Sequence, residues 1–251
     1  MTEPQKQALS EENLLAEEDE AEEEEEDIVV EDVPDAPIPE TVLNGPLDIK
    51  NDQGQLLQRF NYKNSKLEGD SFIFYENGQI SQKLPYKNGK LNGQVITYDR
   101  FGNVSQILTY SEGKMNGPAT FFNMAGDKTM ETSFVDGVQE GLVRFYLPNG
   151  KVRTEMMYVG GKKNGIATTY DDLGRILRVD NYVDDLLHGE SIGYHQNGEV
   201  MVREFYEKGL LQDTAVQYYD NGGIQQYAHY DKGVLLEPPE QFTQKGKHIR
   251  K

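Results

Sequence analysis

Residues Tyr86-Lys87-Asn88-Gly89-Lys90-Leu91-Asn92-Gly93-Gln94-Val95-Ile96-Thr97-Tyr98, followed by Asp99-Arg100-Phe101-Gly102-Asn103-Val104, decide the fold. Asn-Gly at 88–89 is the dipeptide that best tolerates positive φ at both centres of a two-residue hairpin turn. Residues 94–98 are rich in β-branched and aromatic side chains and too short to sustain a helix. A second turn signal at Gly102 follows at once. Strand, turn, strand, turn is the expected order.

Working outward, the same signals repeat every 24 residues. Tyr62, Tyr86, Tyr110, Phe134, Tyr158, Tyr182, Tyr206 and Tyr230 form one aromatic series. Twelve positions later in each unit come Phe74, Tyr98, Phe122, Tyr146, Tyr170, Tyr194 and Tyr218. Glycine keeps the same period in three series, which contain Gly78, Gly69 and Gly89. The second is broken at Asp213 and the third at Ser65 and Asp185. Gly45 and Gly54 lie in register upstream, so a degenerate unit is expected before the first of seven full ones. A fixed period of this length marks a repeat architecture.

The expected fold is all-β: an elongated antiparallel β-meander of 24-residue hairpin repeats spanning residues 44–236, with seven full repeats over 62–229. Equivalent residues in successive repeats should lie roughly 10 Å apart, two strand spacings. Counting alternation straight through the unit puts both aromatic series, with Ile80, Val104, Val152, Ile176, Val200 and Ile224, at odd positions. This predicts one aromatic ladder along one face, serving mainly to hold neighbours together. Lys128 interrupts the aliphatic series, and Met130 is the expected compensation.

Charge divides the chain. The formal net charge is -18, from 43 acids and 25 bases. Residues 1–43 hold 17 acids and one base, which leaves 26 acids and 24 bases for the rest. The segment therefore reads as an acidic, disordered tail, and 237–251 as a short basic one. With no cysteine, thiolate chemistry and disulfides are excluded. No signal-peptide pattern and no long apolar run is present, so a cytoplasmic protein is expected.

Strings such as Tyr86-Lys87-Asn88-Gly89-Lys90-Leu91-Asn92-Gly93 and Tyr110-Ser111-Glu112-Gly113-Lys114-Met115-Asn116-Gly117 resemble the MORN repeat, with its Tyr-x-x-Gly-Lys-x-x-Gly core. The 24-residue spacing is similar to the variant MORN repeats of bacterial YwqK-type proteins. That resemblance implies a non-enzymatic scaffold that binds a protein partner, as an antitoxin or immunity-type component. A peripheral membrane or assembly scaffold is the alternative it implies. The chain departs from eukaryotic arrays in having no tryptophan.

Lys66, Lys90, Lys114 and Lys162 share one repeat position beside the turn glycine and are the candidate partner-binding row. Solvated turn lysines that discourage edge pairing are the favoured reading, because Val138, Leu186 and Leu210 interrupt the row. Membrane binding is accordingly not favoured, and self-association of two arrays is left open. His188 and His195 bracket a strand in the most divergent unit, where Asp184 and Asp185 replace the usual turn. A metal or acid–base site there is set against surface divergence, and the latter is favoured because no ligand spacing appears. No cofactor motif, nucleophile elbow or basic nucleic-acid footprint is found.

Overall fold

The structure, a computed structural model, describes residues 42–249. All but the last two residues of the acidic segment 1–43 lie outside that range. Among the described residues every regular element is a β-strand, and the strands join in one open antiparallel meander of 24 strand segments. Beyond Pro238-Pro239, in the segment read as a basic tail, Glu240–Phe242 and His248–Ile249 pair and extend the sheet.

One repeat shows how the sequence builds this sheet. The long strand Ile80–Lys87 enters a two-residue turn, Asn88 (φ 52°) and Gly89 (φ 83°). Positive φ at both centres matches the right-handed twist of the flanking strands. The return strand is split into Lys90–Leu91 and Gly93–Tyr98. Its pairing moves from Tyr86↔Leu91 to Lys83↔Ile96, an even insertion that leaves Leu91, Val95 and Thr97 on the face of Tyr86. A loop then leads to Val104–Ser111. Asp99 closes that loop, its Oδ1 accepting from the amides of Phe101 at 2.8 Å and Asn103 at 2.9 Å. Such local acceptors are what Asx residues supply in turns.

The faces differ from the expectation of a single ladder. Pairing passes from Ile73↔Gln82 to Phe74↔Ile80 and skips Ser81. The same slip recurs between Thr97 and Tyr98, Phe145 and Tyr146, Thr169 and Tyr170, Gly193 and Tyr194, and Gln217 and Tyr218. A one-residue bulge reverses the face of everything beyond it. The Tyr86 series therefore shares a face with Leu84, Gln82 and Ser71, while the Phe74 series and Ile80 lie on the other. Parity counted through the unit misses this twice: the two-residue turn pairs Tyr86 with Leu91, an even residue with an odd one, and the bulged residue consumes a position without changing sides.

The core lies on the Tyr86 side, the buried face. Phe60, Leu84 and Leu108 succeed each other at one repeat position with 0%, 0% and 3% exposure. Across from them run Ser71, Val95, Ala119 and Val143, all buried. Each large side chain buried here contributes about 1.5–3 kcal/mol. Small residues in the facing row leave room for the large ones, which gives close packing without a second layer.

Both margins are stapled between repeats. At the hairpin margin the amide of Gly113 donates to Leu91 O at 2.9 Å, and that of Gly137 to Met115 O at 2.8 Å. Gly89, Gly161, Gly209 and Gly233 do the same with residues of the preceding unit. At the loop margin Tyr75 Oη donates to Tyr98 O at 2.6 Å, and Asn197 Nδ2 to Asp220 O at 2.8 Å. Each hairpin is thus tied to the next at both ends, the nearest-neighbour coupling on which repeat arrays depend.

Candidate functional site

The lysine row lies at the hairpin margin on the open face. Lys90 Nζ meets Glu112 at 3.3 Å, Lys114 meets Asp136 at 3.9 Å, and Lys162 meets Asp184 at 3.6 Å. Each acid sits on the next turn, so three of the four lysines are locally neutralised. Their stems do structural work as well. Lys90 Cβ lies 3.8 Å from where a Cβ on Gly113 would be, and Val138, Leu186 and Leu210 cover Gly161, Gly209 and Gly233 in the same way. Any side chain with an aliphatic stem serves that purpose, which accounts for the interruptions.

The two histidines stand at opposite margins. His188 precedes the strand Gly189–Tyr194 and His195 follows it. Seven residues of extended chain separate them by roughly 20 Å. No single metal or proton relay spans that gap. His195 Nε2 hydrogen-bonds Tyr218 O at 2.8 Å, the contact that Tyr75 and Tyr219 make from the same repeat position. His188 lies opposite the amide of Lys208, where Glu68 and Glu140 accept from the equivalent amides of Asn88 and Gly160. In the glycine-free turn, Asp185 keeps φ at 69° and its Oδ1 accepts from Lys163 N at 2.8 Å. Among the described residues no group of three or more His, Cys, Asp or Glu side chains is placed to hold a metal ion.

The fifteen ladder aromatics form two rows. On the buried face Tyr62 and Phe134 are buried, while Tyr86, Tyr110, Tyr158, Tyr182, Tyr206 and Tyr230 are half-buried. On the open face Phe74, Tyr98, Phe122, Tyr146, Tyr170, Tyr194 and Tyr218 are all half-buried. There Tyr146 Oη donates to Glu131, and Tyr170 Oη donates to Glu155 at 3.0 Å. Burial and the Glu131 carboxylate push the Tyr146 phenol up to about 12. Lys128 pairs with Glu131 and lies 5.0 Å from the Tyr146 ring centre. Met130 is buried on the other face, so Lys128 is explained by these two partners and not by Met130.

A polar cluster interrupts the buried face in the divergent unit. Arg178 Nε pairs with Asp180 at 2.9 Å, and its Nη2 reaches Glu204 at 2.8 Å and Ser191 Oγ at 2.6 Å. Ser191, 1% exposed, in turn donates to Asp180, and Tyr206 Oη donates to Glu204 at 3.2 Å. Burial alone would lower the Arg178 pKa, but Asp180 and Glu204 raise it, so the guanidinium stays charged. Burial, followed by the Glu204 charge, pushes the Tyr206 phenol up to about 12. Every polar atom named here has a partner, and the cluster offers no activated nucleophile.

The open face carries apolar side chains at the hairpin margin. Val135, Val159 and Val183 are 52%, 50% and 44% exposed, and Leu186 and Leu210 are 48% and 49% exposed. Val183 pairs with Leu186, and Val135 with Val138, so these residues sit side by side. Met157 and Ile166 add exposed area beside them.

Residues 67–88, 139–159 and 187–208 match the MORN repeat variant. Those three stretches carry MORN-type repeats. Each match runs from one hairpin turn to the next, with the five-residue loop at its centre. No curated protein matches the chain. Among solved structures, a porin-like protein from Bacteroides uniformis is similar at 13% identity over 72% of this chain and 86% of that one, with a TM-score of 0.22. An assembly of TcdB2 with TccC3 is similar at 13% identity over 82% of this chain, with a TM-score of 0.18. The Tc holotoxin pore of Photorhabdus luminescens is similar at 12% identity over 79% of it, with a TM-score of 0.16. The chain spans only 13% and 14% of those last two. No helix among the described residues is long and apolar enough to cross a membrane.

The polar cluster was not foreseen from the sequence, although a signal was available. Asp180 and Glu204 occupy the position of Leu84, Leu108 and Met156, while Arg178 takes that of Gln82, Gln106, Met130, Thr154 and Val202. Gly193 belongs to none of the three glycine series. It pairs with both Arg178 and Val202, and a Cβ there would come within 2.8 Å of Val202 Cγ1. In this unit Arg178, Asp180, Gly193 and Glu204 thus depart together from the residues of its neighbours.

Proposed function

We propose that this chain is a non-catalytic repeat scaffold that binds a protein partner through the hairpin margin of its open face. The observation that carries the reading is the apolar run Val135, Val138, Val159, Val183, Leu186 and Leu210. It lies exposed on a sheet whose turns are stapled and so preorganised. Contiguous exposed apolar surface on a rigid element is what protein interfaces use. An antitoxin or immunity-type role is the specific form suggested by the likeness to YwqK-type repeats. Binding to lipid headgroups is the weaker reading, because the lysine row is largely paired with acids on neighbouring turns.

The test is co-purification of a partner identified by mass spectrometry, with the full chain and with Leu186→Lys/Leu210→Lys as baits. Lysine is what Lys66, Lys90 and Lys114 place at this position, so the variant keeps the covering stem and the fold. Loss of the partner is expected. Recovery equal to that of the unaltered chain would remove this surface from consideration.

A further inference from the structure

One row on the open face changes character along the array. At the last residue of each long strand stand Lys63 and Lys87, then Ser111, then Val135, Val159 and Val183, then Glu207 and Asp231. All eight are exposed. The row therefore runs from basic through apolar to acidic, at one side chain per repeat. Lys63, Lys87 and Glu207 form no ion pair among the described residues, and Asp231 only accepts from Gln212 at 3.3 Å. They are charges without a local counterpart, unlike Lys90, Lys114 and Lys162 in the neighbouring row.

Such a row is complementary to its own reverse. A two-fold axis between Val135 and Val159 sets Val135 of one copy against Val159 of the other. It then sets Ser111 against Val183, Lys87 against Glu207, and Lys63 against Asp231. The spacing matches by construction, since both copies carry the same rise of roughly 10 Å per repeat. No like charges of this row meet. The arrangement has an apolar centre and a charged rim, and a two-fold contact of one patch with itself is the commonest form of oligomer. A parallel arrangement in the same register would instead oppose Lys63 to Lys63 and Asp231 to Asp231.

We propose that two copies of this chain associate antiparallel along this row, about an axis between Val135 and Val159. The proposal rests on reading the hairpin margin as a binding surface and names its partner as a second copy of the chain. The oppositely charged ends set the register, and the valines supply the buried area.

Sedimentation velocity on the full chain is the test. Concentration-dependent dimers are expected, and Val135→Asp, at a position already half exposed, should abolish them without unfolding the chain. Two charge variants decide the geometry. Lys63→Glu/Lys87→Glu makes both ends of the row acidic, and Glu207→Lys/Asp231→Lys makes both ends basic. Each alone should self-associate roughly tenfold or more weakly, since four rim pairs become repulsive. An equimolar mixture should form heterodimers, because both ends are then complementary. A chain that stays monomeric overturns the proposal, as do variants that dimerise as well as the unaltered chain. A monomer that still recovers a foreign partner leaves the scaffold reading standing. A dimer that recovers none leaves self-association as the use of the surface.

Discussion

The amide of Gly137 donates to the carbonyl of Met115, 2.8 Å away and one repeat earlier. Glycine is needed there for its backbone, since φ is +87° and no atom lies within 4 Å of where a Cβ would stand. Gly137→Val should therefore destabilise the array by about 1–2 kcal/mol, through the left-handed conformation alone. Gly137→Asn should cost clearly less, because Asn tolerates that region. Urea midpoints of the two variants check this. Equal losses would show that tolerance of the left-handed conformation is not what glycine supplies there.

The same turn shows how far the sequence was legible. Asn88-Gly89 announces both the hairpin and its positive φ, and the 24-residue recurrence of such signals announces the meander. The staples were not legible, because a turn glycine that ties repeats together looks identical to one that merely reverses the chain. Nor was the face of Ile80 and its counterparts, since Ser81 and the residues equivalent to it are bulged without any mark in the sequence. Lys90 and His195 misled in another way. Their chemistry suggested sites, yet one covers Gly113 with its stem and the other replaces a tyrosine in a loop contact.

His195 supplies the second prediction. Its Nε2 bonds Tyr218 O as Tyr219 Oη bonds Phe242 O, so tyrosine should fit the position. His195→Tyr is expected to leave stability unchanged or slightly raised. His195→Ala should cost about 1 kcal/mol, the net value of one such hydrogen bond. Thermal unfolding of the pair is sufficient. A large loss in His195→Tyr would mean that the imidazole does something a hydrogen-bonding phenol cannot.

Alkaline pH tests the two perturbed phenols. Tyr146 and Tyr206 are each pushed from 10.0 up to about 12. Between those values the unfolded chain has lost protons that the folded chain retains, so stability must fall as pH rises through this window. Below pH 10 the contribution is fully present. Urea midpoints should thus decline between about pH 10 and pH 12, and Tyr206→Phe should make the decline shallower. The slope is the readout, since the variant also loses its bond to Glu204. An unchanged slope would count against the burial of this hydroxyl.

Arg178 and Glu204 give the last prediction. They meet at 2.8 Å on the buried face, where other repeats place Leu84, Leu108 or Met156 at the Glu204 position and Gln82, Gln106, Met130 or Thr154 at the Arg178 position. Removing the guanidinium leaves Asp180 and Glu204 facing each other with Ser191 between them. Arg178→Met should cost about 1–3 kcal/mol, below the range for fully buried pairs because Arg178 is partly exposed. Replacing the cluster as a unit should behave differently. Arg178→Met, Asp180→Leu, Glu204→Leu and Ser191→Ala together restore the residues that Met130, Leu84, Leu108 and Ala119 place in other units. The quadruple variant is expected to match or exceed the unaltered chain in stability, as buried ion pairs replaced by packed apolar groups often do. A quadruple variant less stable than Arg178→Met alone would show that the surrounding packing, with Gly193 and Val202 at its centre, has been shaped around the charges and depends on them.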